Sequence, residues 1–179
     1  VSRGSSKKLG SLQILKNFLK NSIKNDKLLK EYTKRIDEEL ILKHNLLYER
    51  TMDYFVKLMD IYCSEGVNAN IRLRPEQLAK NFKWQKELKP RQEEFFSAYI
   101  SYIKELRKIA KEAKDYEDEA GLIREFEKYV DRLDGFFLNF RFILDFSDDN
   151  FIFWLSANPK KNNIKLVATP LKIHNELDE

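Results

Sequence analysis

From Leu28 to Tyr62 the chain contains neither glycine nor proline, and the first glycine after this run is Gly66. Apolar residues recur along it at Leu28, Tyr32, Ile36, Leu40, Leu47, Phe55, Leu58 and Tyr62, the spacing of one helix face. The run predicts a single helix of about 35 residues, roughly 50 Å long at the rise of an α-helix. A helix of that reach gains most of its stability by packing its apolar face on partners, so the remainder of the chain must supply other long helices.

Two further runs meet that demand. Pro90 opens one, with Phe95, Phe96, Tyr99, Ile100, Ile103, Leu106 and Ile109 on its apolar face. The other carries Ile123, Phe126, Val130, Leu133, Phe137, Phe140 and Leu144, with Gly135 as an interior weak point costing about 1 kcal/mol relative to alanine. The acidic stretch KDYEDEAG at 114–121 reads as the bend between them. A first, shorter helix follows the polar start VSRGSSKKLG through Leu12, Leu15, Phe18, Leu19 and Ile23, and Asn25 or Asp26 can cap the long one. Because the spacings are threes and fours without a strict heptad, they favour an antiparallel bundle over an extended coiled coil.

The segment SEGVNANIRLR at 64–74 reads as a loop, followed by a short helix from Pro75 to Leu88. The C-terminal stretch is different in kind. Phe151–Leu155 and Ile164–Ala168 read as two strands joined by the turn-forming SANPKKNN. A two-stranded hairpin alone is marginal in water. Pro170 interrupts, His174 or Asn175 can cap a helix, and ELDE is its acidic first turn, so the expectation is a piece of a longer protein. The fold class expected is mainly α, an antiparallel long-helix bundle with a short C-terminal β-hairpin, divided into a helical part at 1–150 and a hairpin part at 151–179.

Composition narrows the chemistry. Charged residues make up 35% and Gly with Pro only nine positions, a balance for helices rather than disorder. No apolar run suits a membrane span, and the expected setting is cytoplasmic with no membrane partner. A single cysteine, Cys63, excludes an internal disulfide and a four-cysteine metal site within this chain, and reads as a small buried hydrophobe. The chain holds no GxxxxGK[ST], HExxH, CxxC or GxSxG motif, and neither Asp37 nor Glu49 falls in a metal-ligand arrangement with His44 or His174. No catalytic residue, metal ligand or cofactor is therefore assigned to this chain.

Charge is segregated along the sequence. Residues 1–25 hold Arg3, Lys7, Lys8, Lys16, Lys20 and Lys24 with no acid. Residues 72–91 hold Arg72, Arg74, Lys80, Lys83, Lys86, Lys89 and Arg91 against Glu76 and Glu87, whereas residues 92–149 hold 15 acids and 9 bases. Local excess of this kind suits a surface that meets phosphates. Arg72, Arg74, Lys80, Lys83 and Trp84 combine bases with an aromatic, the pairing that sequence-independent binding of single strands uses. Trp84 has two readings, a stacking platform or a core anchor between helices.

The stretch FIFWLSANPKKNNIKLVATPLKIHNELDE resembles a segment of DinG-like helicases, in the XPD-related superfamily 2 group: an aromatic strand with Trp, a variable turn, a second strand and Pro-Leu before a helix. Phe153, Trp154, Leu166, Pro170 and Leu171 match that pattern. Upstream, NIRLRPEQLAKNFKWQKEL is similar to the middle of the arch in the bacterial branch, and SRGSSKKLGSL suits the region after the DEAH box. The resemblance covers nearly all of the chain. It implies a helical arch inserted between the DEAH and TSATL-like motifs, with Trp154, Pro170 and Leu171 at the junction with the motor core.

The same resemblance implies single-stranded DNA and the remainder of the helicase as partners. ATP and Mg would be held by the parent's motor, and the iron–sulfur cysteines of many relatives lie upstream of DEAH, outside a chain like this one. Some bacterial relatives carry a nuclease domain and degrade strands. The alternative from another class is a stand-alone helical adaptor that binds a protein partner through an apolar groove. A stable hairpin supported by other contacts together with an ordered last helix would favour the adaptor, and a frayed C-terminus with the hairpin's apolar face exposed the arch.

Overall fold

The structure, a computed structural model, describes residues 15–17, 19–21, 23–63, 68–113, 122–146, 148–161 and 163–171. Within them run α1 (Asp26–Arg35), a π turn (Ile36–Leu40), α2 (Ile41–Tyr62), β1 (Ala69–Leu73) and α3 (Pro75–Lys80). A second π turn (Trp84–Leu88), α4 (Lys89–Ala113), α5 (Leu122–Asp145), β2 (Phe151–Asn158), a 3-10 turn (Pro159–Lys161) and β3 (Asn163–Pro170) complete the described elements. The protein is mainly α with long helices, as the periodicity predicts, and it carries a small antiparallel sheet of order β1-β2-β3. Residues 15–17 and 19–21 of the expected first helix are helical, with Leu15, Leu19 and Ile23 buried. Leu12, Phe18, the acidic stretch 114–121 and the expected last helix with His174 and Asn175 lie outside the described residues.

Asn25 rather than Asp26 caps the long helical run: its Oδ1 accepts from the backbone N–H of Lys27 at 3.0 Å and of Leu28 at 3.3 Å. The run to Tyr62 is helical as expected but is not uniform α-helix. At Ile36–Leu40 the Ile41 N–H reaches back to the Ile36 carbonyl, five residues away. Buried Tyr32, Ile36 and Leu40 are spaced by fours. Each such step overshoots a 3.6-residue turn by about 40°, and the wider π turn keeps the three residues on one face. Trp84, Leu88 and Gln92, all buried, repeat the spacing and the solution at the second π turn.

That second turn corrects the helix boundaries expected around Pro90. The helix expected over Pro75–Leu88 breaks at Asn81, which is extended and whose side chain accepts from the Trp84 N–H at 3.0 Å, capping the helical backbone that begins there. Helical backbone then continues through Pro90 into α4 instead of starting there. Proline lacks an N–H and its ring crowds the carbonyl four residues back. The π turn ends at Lys89, whose N–H goes to the Trp84 carbonyl, so the hydrogen-bond ladder is already offset where Pro90 enters.

Contacts divide the chain into two compact units, one of Val1–Tyr48 with Ser97–Gly135 and one of Glu49–Phe96 with Phe136–Glu179. In the first unit Arg35 bonds both Glu105 and Glu112 of α4, and Lys43 meets Glu105 at 3.2 Å. The order of these pairs sets α1 and α2 antiparallel to α4 in this unit. The Tyr99 hydroxyl donates to the Leu133 carbonyl at 3.0 Å, and Arg107 pairs with Asp134, joining α4 to α5. Burial opposes charge on Glu105, but hydrogen bonds and proximity to Arg35 and Lys43 hold its carboxyl below the ordinary range.

The second unit is aromatic. Tyr54 stacks on Phe95 at 5.9 Å, Phe95 meets Phe140 edge-on at 5.5 Å, and Phe96 meets Phe137 at 5.4 Å. Its segments of α2 and α4 are antiparallel too: Arg50 pairs with Glu94 at 2.8 Å, Asp53 with Arg91 at 2.9 Å, and Lys57 with Glu87. Trp84 lies between Tyr62 and Phe146, and Phe146 reaches Phe153 of β2 at 5.3 Å. Phe146 follows α5 with φ of 50°, a left-handed position usually filled by glycine at a helix end. Its two ring contacts offset that cost.

Candidate nucleic-acid interface

The sheet is the main departure from the expected hairpin. Residues 69–73, read in the sequence as loop, form β1 and pair with β2 in the register Ile71 with Leu155, Arg72 with Trp154 and Leu73 with Phe153. β3 pairs on the other side, Trp154 facing Val167 and Leu155 facing Leu166. The strands run to Asn158 and from Asn163 to Pro170, longer than expected. Alternation gives the sheet two unlike faces. Leu73, Phe153, Leu155 and Ala157 are buried on the inner face, where Phe142 of α5 meets Phe151 at 5.0 Å and Phe153 at 5.8 Å. Asn70, Arg72, Ser156 and Lys165 are exposed on the outer face.

The four basic candidates are all exposed and fall on one short stretch. Arg72 stands on β1, Arg74 is the extended residue before α3, Lys80 ends α3, and Lys83 precedes the second π turn. Arg72 and Arg74 share a cleft of about 320 Å³ with Leu171, and Asp148 and Asp149 also line it. Among the described residues, none of Arg72, Arg74, Lys80 and Lys83 forms an ion pair, whereas Arg50, Lys57 and Arg91 of the same unit each do. Lys83 adds its field to Glu87, but the main cause of that carboxyl's lowered pKa is its hydrogen bond from Lys57.

Trp84 is placed apart from them. It is 5% exposed, with Tyr62 and Phe146 against its ring, so it is a core anchor and offers no free face to a base. The aromatic that faces solvent here is Phe82, 72% exposed between Lys80 and Lys83. The sequence holds the signal: residues two apart on a helix point about 200° apart, so Phe82 and Trp84 cannot share a face.

Trp154, Pro170 and Leu171 occupy different surroundings. Trp154 is half-buried in the middle strand on the outer face. Pro170 ends β3 opposite Phe151, and Leu171, 52% exposed, donates its N–H to the Asn150 carbonyl at 2.7 Å. His44 packs edge-on against Tyr102, and Cys63 is buried as expected. Among the described residues no group of His, Cys, Asp and Glu is placed to hold a metal ion, and no helix is long and apolar enough to cross a membrane. Gly135, the one glycine among them, lies inside α5, so no glycine-rich cradle for nucleotide phosphates is formed by the described residues. No known family, curated protein or solved structure matches the chain.

Proposed function

We propose that this chain is the arch-like helical insertion of a DinG-like, XPD-related DNA helicase, and that it guides single-stranded DNA while the parent's motor hydrolyses ATP. The observation that supports this most is the group of exposed bases at Arg72, Arg74, Lys80 and Lys83, free of ion pairs among the described residues, where Arg50, Lys57 and Arg91 of the same unit are paired. Phosphates bind such groups without regard to sequence. Phe82, rather than Trp84, takes the stacking place in this stretch. Pro170 and Leu171 form the junction from which the chain rejoins the motor, ATP and Mg belong to that motor, and the setting is cytoplasmic.

The test is charge reversal. The variant R72E/R74E/K80E/K83E is expected to lose affinity for oligothymidylate and for mixed-sequence strands alike. Its salt slope should fall by about 0.7 per phosphate contact removed. Circular dichroism checks the fold. Unchanged affinity and slope would remove this segment as the DNA track, and the flanking reading frame, if it lacked helicase motifs, would remove the parent.

A second reading, a helical adaptor for a protein partner, draws on two observations. Leu42, Leu46, Met52 and Val56 of α2 are exposed, and the hairpin is supported by β1 with its inner face buried. A chain that binds no single strand at about 50 mM salt, where phosphate contacts are strong, would favour it.

A further inference from the structure

Of the four basic candidates only Arg72 stands on a strand, and it faces outward from the sheet. The central row of that outer face is Arg72 on β1, Trp154 on β2 and Val167 on β3, directly opposite one another. The adjacent same-face row is Asn70, Ser156 and Lys165, about 7 Å along the strands. An indole therefore lies at the middle of a three-stranded surface, with a guanidinium in its own row and an ammonium in the next. Its same-face neighbours along β2 are Ser156, too small to cover it, and Ile152, and the indole is half-buried. None of the three strands contains an acid, and neither Arg72 nor Lys165 forms an ion pair among the described residues.

We infer that this outer face is a stacking platform for an unpaired base, with Trp154 as the stacking surface and Arg72 and Lys165 as the contacts to its flanking phosphates. The inference rests on the single-strand reading above and adds to it a second contact region, on the sheet. Aromatic stacking accepts any base because every base has a π-face, and flanking cations hold the backbone that links the bases. An apolar protein surface placed here would instead bury Lys165 with no acid on the three strands to pair it, at considerable cost, although Arg72 has Glu76, Asp148 and Asp149 lining its cleft. Trp154 is also distinct from the junction residues with which the resemblance groups it. The Phe151–Pro170 pair lies three residues away on β2, about 10 Å, on the other side of the pleat.

The experiment titrates the chain with oligothymidylate and with an abasic sugar–phosphate oligomer of equal length, following affinity and tryptophan emission. Oligothymidylate should quench the emission, and Trp154→Phe should abolish the quenching, since Trp84 is buried. Trp154→Ala should weaken oligothymidylate binding roughly 5- to 100-fold and leave the abasic oligomer unaffected. Arg72→Ala and Lys165→Ala should weaken both oligomers and each lower the salt slope by about 0.7. Trp154→Phe keeps a ring at the position, so a fold defect in the alanine variant does not decide the matter. If Trp154→Ala binds like the parent chain, or quenching persists in Trp154→Phe, the platform is overturned, the single-strand reading stands, and the face returns to protein contact. If the parent chain binds neither oligomer at about 50 mM salt, both readings fall.

Discussion

The two compact units draw on the same three long helices, α2, α4 and α5, and are held by different chemistry. In the first, charges are turned inward: Glu105, 8% exposed, receives Arg35 and Lys43, and Arg35 reaches Glu112 as well. In the second, rings fill the interior from Tyr54 and Phe95 through Trp84 and Phe146 to Phe153. An aromatic core needs no charges to complete it, so bases that meet no acid, unlike Arg50, Lys57 and Arg91, remain available to a ligand. An interior ion network uses its bases up. The contrast explains why Arg72, Arg74, Lys80 and Lys83, rather than Arg35 and Lys43, are the candidates for phosphate.

The largest break in this contrast should come from the aromatic unit. Phe153→Ala removes a buried ring that touches Phe142 and Phe146 and is expected to cost about 3–5 kcal/mol in denaturant unfolding. A loss below about 1 kcal/mol, the level of a surface change, would show that the sheet does not depend on that cluster. In the other unit Glu105→Ala leaves Arg35 and Lys43 without their shared partner and should cost about 2–3 kcal/mol. The sign with pH comes from its lowered pKa. The Glu105 contribution is complete above the ordinary carboxyl value of 4.5 and is lost as pH falls below it. Acid titration of the melting temperature should therefore be shallower in the variant, and an unchanged profile would contradict the network.

Smaller effects sharpen the contrast. The Tyr54 and Tyr62 hydroxyls are buried with no hydrogen-bond partner among the described residues. Tyr54→Phe should be neutral or stabilising by up to about 1 kcal/mol, because it removes an unsatisfied group. Burial pushes Tyr62 up to about 12 and Tyr54 higher. Stability should thus hold up to about pH 10, where unfolded tyrosine ionises, and fall as pH rises further. Tyr54→Phe should lessen that alkaline loss. A substantial loss of stability at neutral pH would mean the hydroxyl has a partner. Smallest of all, Gly135→Ala should raise stability by about 0.5–1 kcal/mol, since an added Cβ meets nothing within 4 Å. Destabilisation would mean that the space is occupied.

The helices were legible because their period is local: a glycine-free run with apolar residues at threes and fours needs no knowledge of partners. The π turns left a trace in the paired four-residue steps at Tyr32, Ile36 and Leu40 and at Trp84, Leu88 and Gln92. β1 was not legible. Its ANIRL alternates apolar and polar residues, but it is five residues long and its partner, β2, begins at Phe151, so the pairing that makes it a strand is a long-range contact that the alternation alone does not announce. The basic stretch was legible from composition alone. Its exposed aromatic was not, because composition does not separate Phe82 from Trp84 and only their opposite directions on a helix do. Trp154 could not be placed on the outer face before the third strand was known.

Hydrogen exchange of the backbone amides, with and without oligothymidylate at low salt, tests the central claim most directly. Protection should rise on β1 and at Glu76–Trp84, and on β2 and β3 if the platform binds as well. Asp26–Tyr48 and Ser97–Ala113 should be unchanged. Protection confined to those segments of the charge-paired unit, or no protection anywhere under conditions of saturating strand, would contradict the assignment of the basic edge of the aromatic unit as the single-strand interface.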